Sequence, residues 1–577
     1  MEKGKVRGIA ALFAALLALV LAAFLCMGLP VREANAAESD WIAPQEEAVA
    51  SVTSGGETKY YKALKMALNY APDGAVVEVL KDTSDAVEGS LGTFQDGTSL
   101  WNQVARKSLT VNGNDHTLTA TVSDYALYVV SGPGESVEYE FTLNDLNIVC
   151  SAGSRRPFYV CNGNYDVTFN NVTLDNSAYT ARSESVFAVG GSGTNTTVTI
   201  NESNLLGGNL GYAVMVLNPA KITVTGSTLE GRSALLMSKT SDSLGSMGSE
   251  VTFSGCTMNI NSALNDTYNE EFGAFTFMQD EATVKIENCK ITSTVTGNAL
   301  QHIVFYSGMQ REDAFKNLNV NFTDTDITMN GGEEVLDFFG GDYADVIPED
   351  PEELEVKIAG GTFNRPIDEQ FLADGFELSL GADGSYTVVD TKETVATITR
   401  SENTYWYESL DAAFAAAQDG DTIVVVAPAA IPERIQIEKS VTLDLNGQTV
   451  TVAAGIGNRS ALDVRAGTFT LIDSSENGTG VIDATGADSA PDEGTVPLAA
   501  MAEGATVIVR SGKIIVNTNS ESCLFAGFGG VVYIYGGTFI NECTEPFYWD
   551  KTSPALAVNV HDNAAYEDGT QGMIISG

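Results

Sequence analysis

Histidine is nearly missing from this chain: three occur in 577 residues. His116, His302 and His561 are too few and too scattered for the histidine-based acid–base or metal sets that many enzymes use. Basic residues are scarce too. Lys and Arg number 31 against 76 Asp and Glu, a formal net charge of −45. That balance excludes nucleic acid and anionic membrane as partners, because phosphate binding needs clustered cations. It is compatible with calcium, a cationic ligand or a neutral glycan. Seven cysteines are too few for a disulfide framework in a chain of this size. Beyond the N-terminal segment no apolar run is long enough to span a membrane.

That N-terminal segment reads as an export signal. Lys3, Lys5 and Arg7 precede an apolar run from Ile9 to Met27, and Ala34-Asn35-Ala36 supplies small residues for cleavage. Residues 1–36 are therefore expected to be a signal peptide and 37–50 an acidic linker. The mature protein is expected to be secreted or displayed at the cell surface.

One stretch occurs twice. Tyr61 to Leu80 aligns without a gap on Tyr407 to Val426. Leu64, Leu68 and Ala71, like Leu410, Phe414 and Ala417, form the stripe of a short amphipathic helix. Asp73-Gly74 and Asp419-Gly420 then stop the helix, and a β-branched run follows as a strand. Leu64, Leu68, Leu410 and Phe414 are expected to cap two stacked arrays.

The arrays are visible as a repeat. Phe141-Thr-Leu-Asn-Asp-Leu-Asn-Ile148 is followed by Val167 to Leu174, Val198 to Leu205, Ile222 to Leu229, Val251 to Met258, Val284 to Ile291, Val320 to Ile327 and Val356 to Phe363. The first and third residues share one side of a strand. The fifth is Asp145, Asn171, Gly226, Gly255, Asn288, Asp324 or Gly360, types that tolerate a left-handed corner. The eighth begins a second strand. A single unit cannot bury its apolar side, so the units must stack into a solenoid. Lys439-Ser-Val-Thr-Leu-Asp-Leu-Asn-Gly-Gln-Thr-Val450 repeats the plan of Lys107 to Leu118, so a second module follows the first. The expected modules are 51–390 and 391–577. The second lacks the closing segment Phe371-Leu-Ala-Asp-Gly-Phe376 of the first, and the chain is expected to continue beyond Gly577.

The cap helices, Asp419-Gly-Asp-Thr-Ile-Val424, Leu471-Ile-Asp-Ser-Ser475 and the Gly-Gly-Thr-Phe units resemble exported right-handed parallel β-helix repeat proteins of Gram-positive bacteria, which share the pectate-lyase-like fold. The resemblance implies an all-β chain of two tandem right-handed parallel β-helix solenoids, each with a short N-terminal capping helix. It also implies a surface adhesin or a scaffold that binds glycans or host proteins without turnover. The alternative is a polysaccharide lyase or glycoside hydrolase on the same fold.

Candidate site residues are few. Asp324 and Asp326 stand two apart and suit either calcium or an acid–base pair, or else a corner and a solvated surface. Asp342, Asp345 and Asp350 lie in an acidic stretch open to the same two readings. Trp101, Tyr405, Trp406 and Trp549 offer stacking faces for sugars, or packing for caps and loops. Cys256 and Cys289 hold the sixth place of adjacent units, within disulfide reach of each other, although a reduced inward ladder fits the small residues found there elsewhere. No cofactor is expected, calcium remaining compatible.

Overall fold

The computed structural model describes residues 38–84, 103–121, 125–132, 136–151, 156–179, 185–191, 195–208, 211–238, 248–261, 274–278, 281–293, 303–306, 317–330, 335–339, 354–401, 403–457, 460–487, 495–516, 522–542, 558–560 and 573–575. The expected export segment, Trp101, Trp549, Asp342, Asp345 and Asp350 lie outside them. Backbone contacts divide the chain into two compact units, 1–371 and 372–577. The division falls before the boundary near Asp390, so the hairpin of Phe376–Leu380 and Tyr386–Asp390 groups with the second unit.

In the first unit the strands fall in turn into three parallel sheets. One rung reads Tyr139–Asn144, Asn147–Cys150, Arg156–Cys161, and the next Tyr165–Asn170, Thr173–Asp175, Ser185–Gly190. Each strand pairs with the equivalent strands above and below. Phe141, Val167, Val198, Ile222, Val251, Val284, Val320 and Val356 consequently form one column in register, and all are buried. The eighth-place residues Ile148, Leu174, Leu205, Leu229, Met258, Ile291, Ile327 and Phe363 are buried as well. This is a parallel β-helix, as the repeat required.

The corners follow the sequence reading. Asp145, Asn171, Asn288 and Asp324 have φ of 51°, 52°, 52° and 46°, and Gly226, Gly255 and Gly360 are also left-handed. Glu202, with φ 48°, holds the equivalent corner of the Val198 unit. Its side chain gives no local compensation for that backbone, unlike Asn or Asp.

Polar columns accompany the apolar ones. Asn201 donates to Asn170 (2.9 Å), Asn170 to Asn144 (2.8 Å), Asn144 to Asn112 (2.9 Å) and Asn112 to the Glu78 carboxylate (2.7 Å). Each amide is donor to one rung and acceptor to the next, so the column satisfies itself. At the sixth place, the Val172 N–H donates to Ser203 Oγ and the Ser203 N–H to Ser227 Oγ. Farther along, the Cys256 N–H donates to Cys289 Sγ (3.4 Å) and the Cys289 N–H to Thr325 Oγ1 (3.3 Å). Cys256 and Cys289 are free and buried, the reduced ladder rather than a disulfide.

The second unit repeats the plan on a smaller scale. Thr422–Val425, Ala429–Ile431 and Ile435–Ile437 make its first rung, and Val441–Asp444, Thr449–Val452 and Ser460–Val464 the second. Among the described residues, α-helix is confined to α1 (Leu64–Tyr70) and α2 (Leu410–Ala416). No helix there is long and apolar enough to cross a membrane.

Both units open alike. An antiparallel hairpin precedes each helix, with Ala50 opposite Tyr61 and Val79 in the first unit, and Ala396 opposite Tyr407 and Val425 in the second. Leu64, Leu68 and Leu410 are fully buried and Phe414 nearly so. The Phe414 ring lies 6.3 Å from that of Phe469, which places α2 over the apolar column of its own solenoid. Lysines fasten the helices. Lys107 Nζ donates to the carbonyls of Leu68, Asn69 and Ala71 (2.6–2.9 Å), and Lys439 Nζ to those of Ala415 and Ala417 (3.0 and 2.6 Å). These are helix C-terminal carbonyls left without partners. Burial pulls Lys107 down to about 8, against the charge of Asp73.

The corner geometry is testable. Glu202→Asn relieves a strained backbone and should raise stability by roughly 0.5 kcal/mol. Gly360→Ala should lower it by roughly 1–3 kcal/mol, because a Cβ there collides with the Asp324 carboxylate. Thermal melts of the full chain check both.

Candidate functional site

Asp324 and Asp326 stand at and just beyond a corner, both exposed. Asp324 occupies the left-handed corner, and Asp326 opens the strand Asp326–Met329 beyond it. Thr325 between them is buried. The exposed, buried, exposed order leaves both carboxylates on the solvent side. Asp326 Oδ1 accepts the Thr362 N–H of the next rung at 2.9 Å.

Tyr405 and Trp406 lie on the hairpin strand Asn403–Tyr407, half-buried. Tyr405 packs against the second core with the Arg400 guanidinium 6.0 Å from its ring. Arg400 also binds Asp421 through its Nε and Nη2 (2.6–3.3 Å). Burial pushes the Asp421 carboxyl up, but Arg400 and the Gln418 N–H more than reverse this and hold it below its usual range. Arg400 also donates to the Ala416 carbonyl of α2 at 2.8 Å, so Tyr405, Arg400 and Asp421 join in one group beside the cap. His116 is a surface residue with Nδ1 3.3 Å from Asp82. Among the described residues no three His, Cys, Asp or Glu side chains gather as a metal-binding set.

The third sheet holds features that the repeat did not announce. In the first unit its strands Arg156–Cys161 and Ser185–Gly190 are buried along their whole length. A second cluster, including Tyr125, Tyr128, Tyr159, Tyr212 and Met215, stands apart from the central core. Buried Arg156 donates to the Tyr125 hydroxyl at 3.0 Å, and its guanidinium lies 5.4 and 5.7 Å from the Tyr125 and Tyr159 rings. Arg232 lies 5.7 Å from the Tyr212 ring. Each cation is partly desolvated against an aromatic face. Because the cluster is closed to solvent, it braces the sheet rather than offering a binding surface.

In the second unit the same sheet carries charge. Gln436, Asp463 and Ala499 are in register. The buried Asp463 carboxylate pairs with Arg434 and, at 2.8 Å, with Arg465. Arg465 also donates to the Met501 carbonyl at 3.3 Å. A buried carboxylate between two arginines fixes both guanidiniums in place. Asp463-Val-Arg465 alternates as one outward face should, whereas Arg434 lies a rung away.

Arg434 also lines a cleft of about 560 Å³ between α2 and the strand Ile435–Ile437. Phe414 and Ile435 supply apolar wall, Arg434 and Lys439 cations, and Asp411, Glu433 and Glu438 carboxylates. Asp411 belongs to the first turn of α2, where the helix dipole favours an anion. Burial and the neighbouring Glu433 charge nevertheless push its carboxyl above the usual range. The cleft thus offers two cations held in place, carboxylates beside them, and an Asp411 carboxyl raised above the usual range.

The sign of that shift gives a prediction. A carboxyl raised in the folded state lowers stability as pH climbs through its unfolded value near ~4 and above. Asp411→Asn should match the wild-type melting temperature at pH 3 and exceed it at pH 7. Equal or lower stability at pH 7 contradicts the assignment.

No family model matches this chain, and no curated protein does. Two solved structures are similar to it, a PL6 family alginate lyase, AlyGC, and an arginine-to-alanine mutant of that enzyme. The first has 12% identity and a TM-score of 0.25, and the mutant 13% and 0.22; in each case 86% of this chain and 83% of the other are covered. At these TM-scores the fold assignment rests on the strand register alone.

Proposed function

We propose that this protein is an exported scaffold that binds an extended glycan, with the cleft beside α2 as a contact site. The observation that supports the reading is the lining of that cleft. Arg434 is held by Asp463 and Lys439 by helix carbonyls, so both donors are fixed before any ligand arrives. Carboxylates and the Phe414 ring stand beside them. Polyols are recognised by interleaved donors and acceptors around an apolar patch, and about 560 Å³ falls among small-ligand clefts of roughly 300–1,000 Å³. The flat outer ladders of the second unit suit a long ligand rather than an enclosed one. The basic, apolar and small-residue pattern of residues 1–36 supports secretion or display at a bacterial surface, where glycans and host proteins are the accessible partners.

The second reading, a polysaccharide lyase or glycoside hydrolase at this cleft, is favoured by Asp411. A carboxyl raised by burial beside a second carboxylate is the kind of arrangement from which acid–base pairs are built.

Native affinity electrophoresis in gels carrying hydroxyethylcellulose, galactomannan, mucin or polygalacturonate separates the two readings, with and without calcium. Retardation by at least one glycan, weakened several-fold by Arg434→Ala and without release of unsaturated products or reducing ends, is expected. Product formation that disappears in Asp411→Asn would establish the enzyme. Unretarded migration in every gel would reject glycan binding.

A further inference from the structure

We infer that the rung containing Val531–Ile534 carries a separate sugar-stacking site, built on Tyr533 and Tyr535, for a neutral glycan chain. The inference rests on the glycan-binding reading and extends it to the ligand's class. Val532 and Ile534 are buried in the second core, so Tyr533 faces outward from the strand and Tyr535, just past its end, is exposed on the outer side. Their rings are nearly parallel, 9° between planes, with centroids 6.4 Å apart. The Arg510 guanidinium lies 5.3 Å from the Tyr535 ring and limits its motion on one side. Gly536 and Gly537 follow directly, and a Cβ at Gly536 would collide with the Arg510 carbonyl. The chain at this corner therefore has no side chain to cover the rings.

Exposure is concentrated here. Five large hydrophobic side chains are exposed among the described residues, and the two aromatic ones, Phe528 at 62% and Tyr535 at 45%, flank this one strand. Phe528 also has φ 53°, a backbone that costs a bulky residue energy. A solvent-exposed aromatic held in a strained conformation is unexplained by packing. Parallel aromatic faces at fixed spacing on a rigid strand present a repeating apolar surface, and the C–H faces of pyranose rings match it. Charge selects among glycans. The chain carries −45, so a polyanionic chain meets net repulsion, and a single guanidinium placed on Tyr535 cannot pair the carboxylate of every residue in it.

The test uses the full chain and its Tyr533→Ala, Tyr535→Ala and Tyr535→Phe variants in gels of hydroxyethylcellulose, galactomannan and polygalacturonate, with gel filtration alongside. Each Ala variant should lose roughly tenfold in affinity for a neutral glycan, while Tyr535→Phe stays near wild type and all melt alike. Unchanged neutral-glycan binding in both Ala variants overturns this site, and leaves the cleft reading standing if Arg434→Ala still weakens binding. Retardation by polygalacturonate alone overturns the ligand class. A wild-type dimer that Tyr535→Ala dissociates would assign the face to a second copy of the chain and overturn the inference.

Discussion

Everything in this molecule depends on identical positions of successive rungs lying directly above one another. The column from Phe141 to Val356 buries apolar surface only because each member has its equivalents above and below. Burying a side chain of that size is worth roughly 1.5–3 kcal/mol, and no rung collects it alone. The asparagine column obeys the same rule. Asn144, Asn170 and Asn201 are each satisfied by a neighbour one rung away, and the series ends on the Glu78 carboxylate, which accepts without needing to be donated to.

A stack has ends, and the duplicated opening is the solution to one of them in each unit. Helix, hairpin and lysine act together. Leu64 and Leu68, or Leu410 and Phe414, are buried under the helix, the hairpin extends the first sheet in the antiparallel sense, and Lys107 or Lys439 gathers the helix carbonyls. Asp73 and Asp419 then accept the N–H of Ser108 and Ser440 at 2.7 and 2.6 Å, tying the loop after the helix to the next rung. The second cap adjoins the charged cleft, so the elements that close the solenoid also fix its donors.

What could be read in the sequence was what the stack constrains locally. Left-handed corners select Asp, Asn and Gly, so Asp145, Asn171 and Gly226 announced themselves, whereas Glu202 takes the same backbone with a residue that carries no such signal. Inward alternation exposed the first two strands of each rung. The third sheet stayed hidden because Arg156–Cys161 and Ser185–Gly190 are buried on both faces and do not alternate. Asp324 was legible as a corner, whereas the tie of Asp326 to the next rung was not. Arg434 and Asp463 gave no sign, since contacts between rungs join residues far apart in the chain, and the raised Asp411 carboxyl likewise depends on Glu433 across a turn. The ladder of Cys256 and Cys289 was legible because both hold one place in the repeat.

The central claim, that each cap protects its own stack, is tested most directly by hydrogen exchange on the full chain carrying Phe414→Asp. An unpaired charge under α2 should open the second solenoid from its capped end. Faster exchange is expected in the strands between Thr422 and Asn541, with those between Ala75 and Ala359 unchanged. Equal acceleration in both units, or none in the second, would contradict the account.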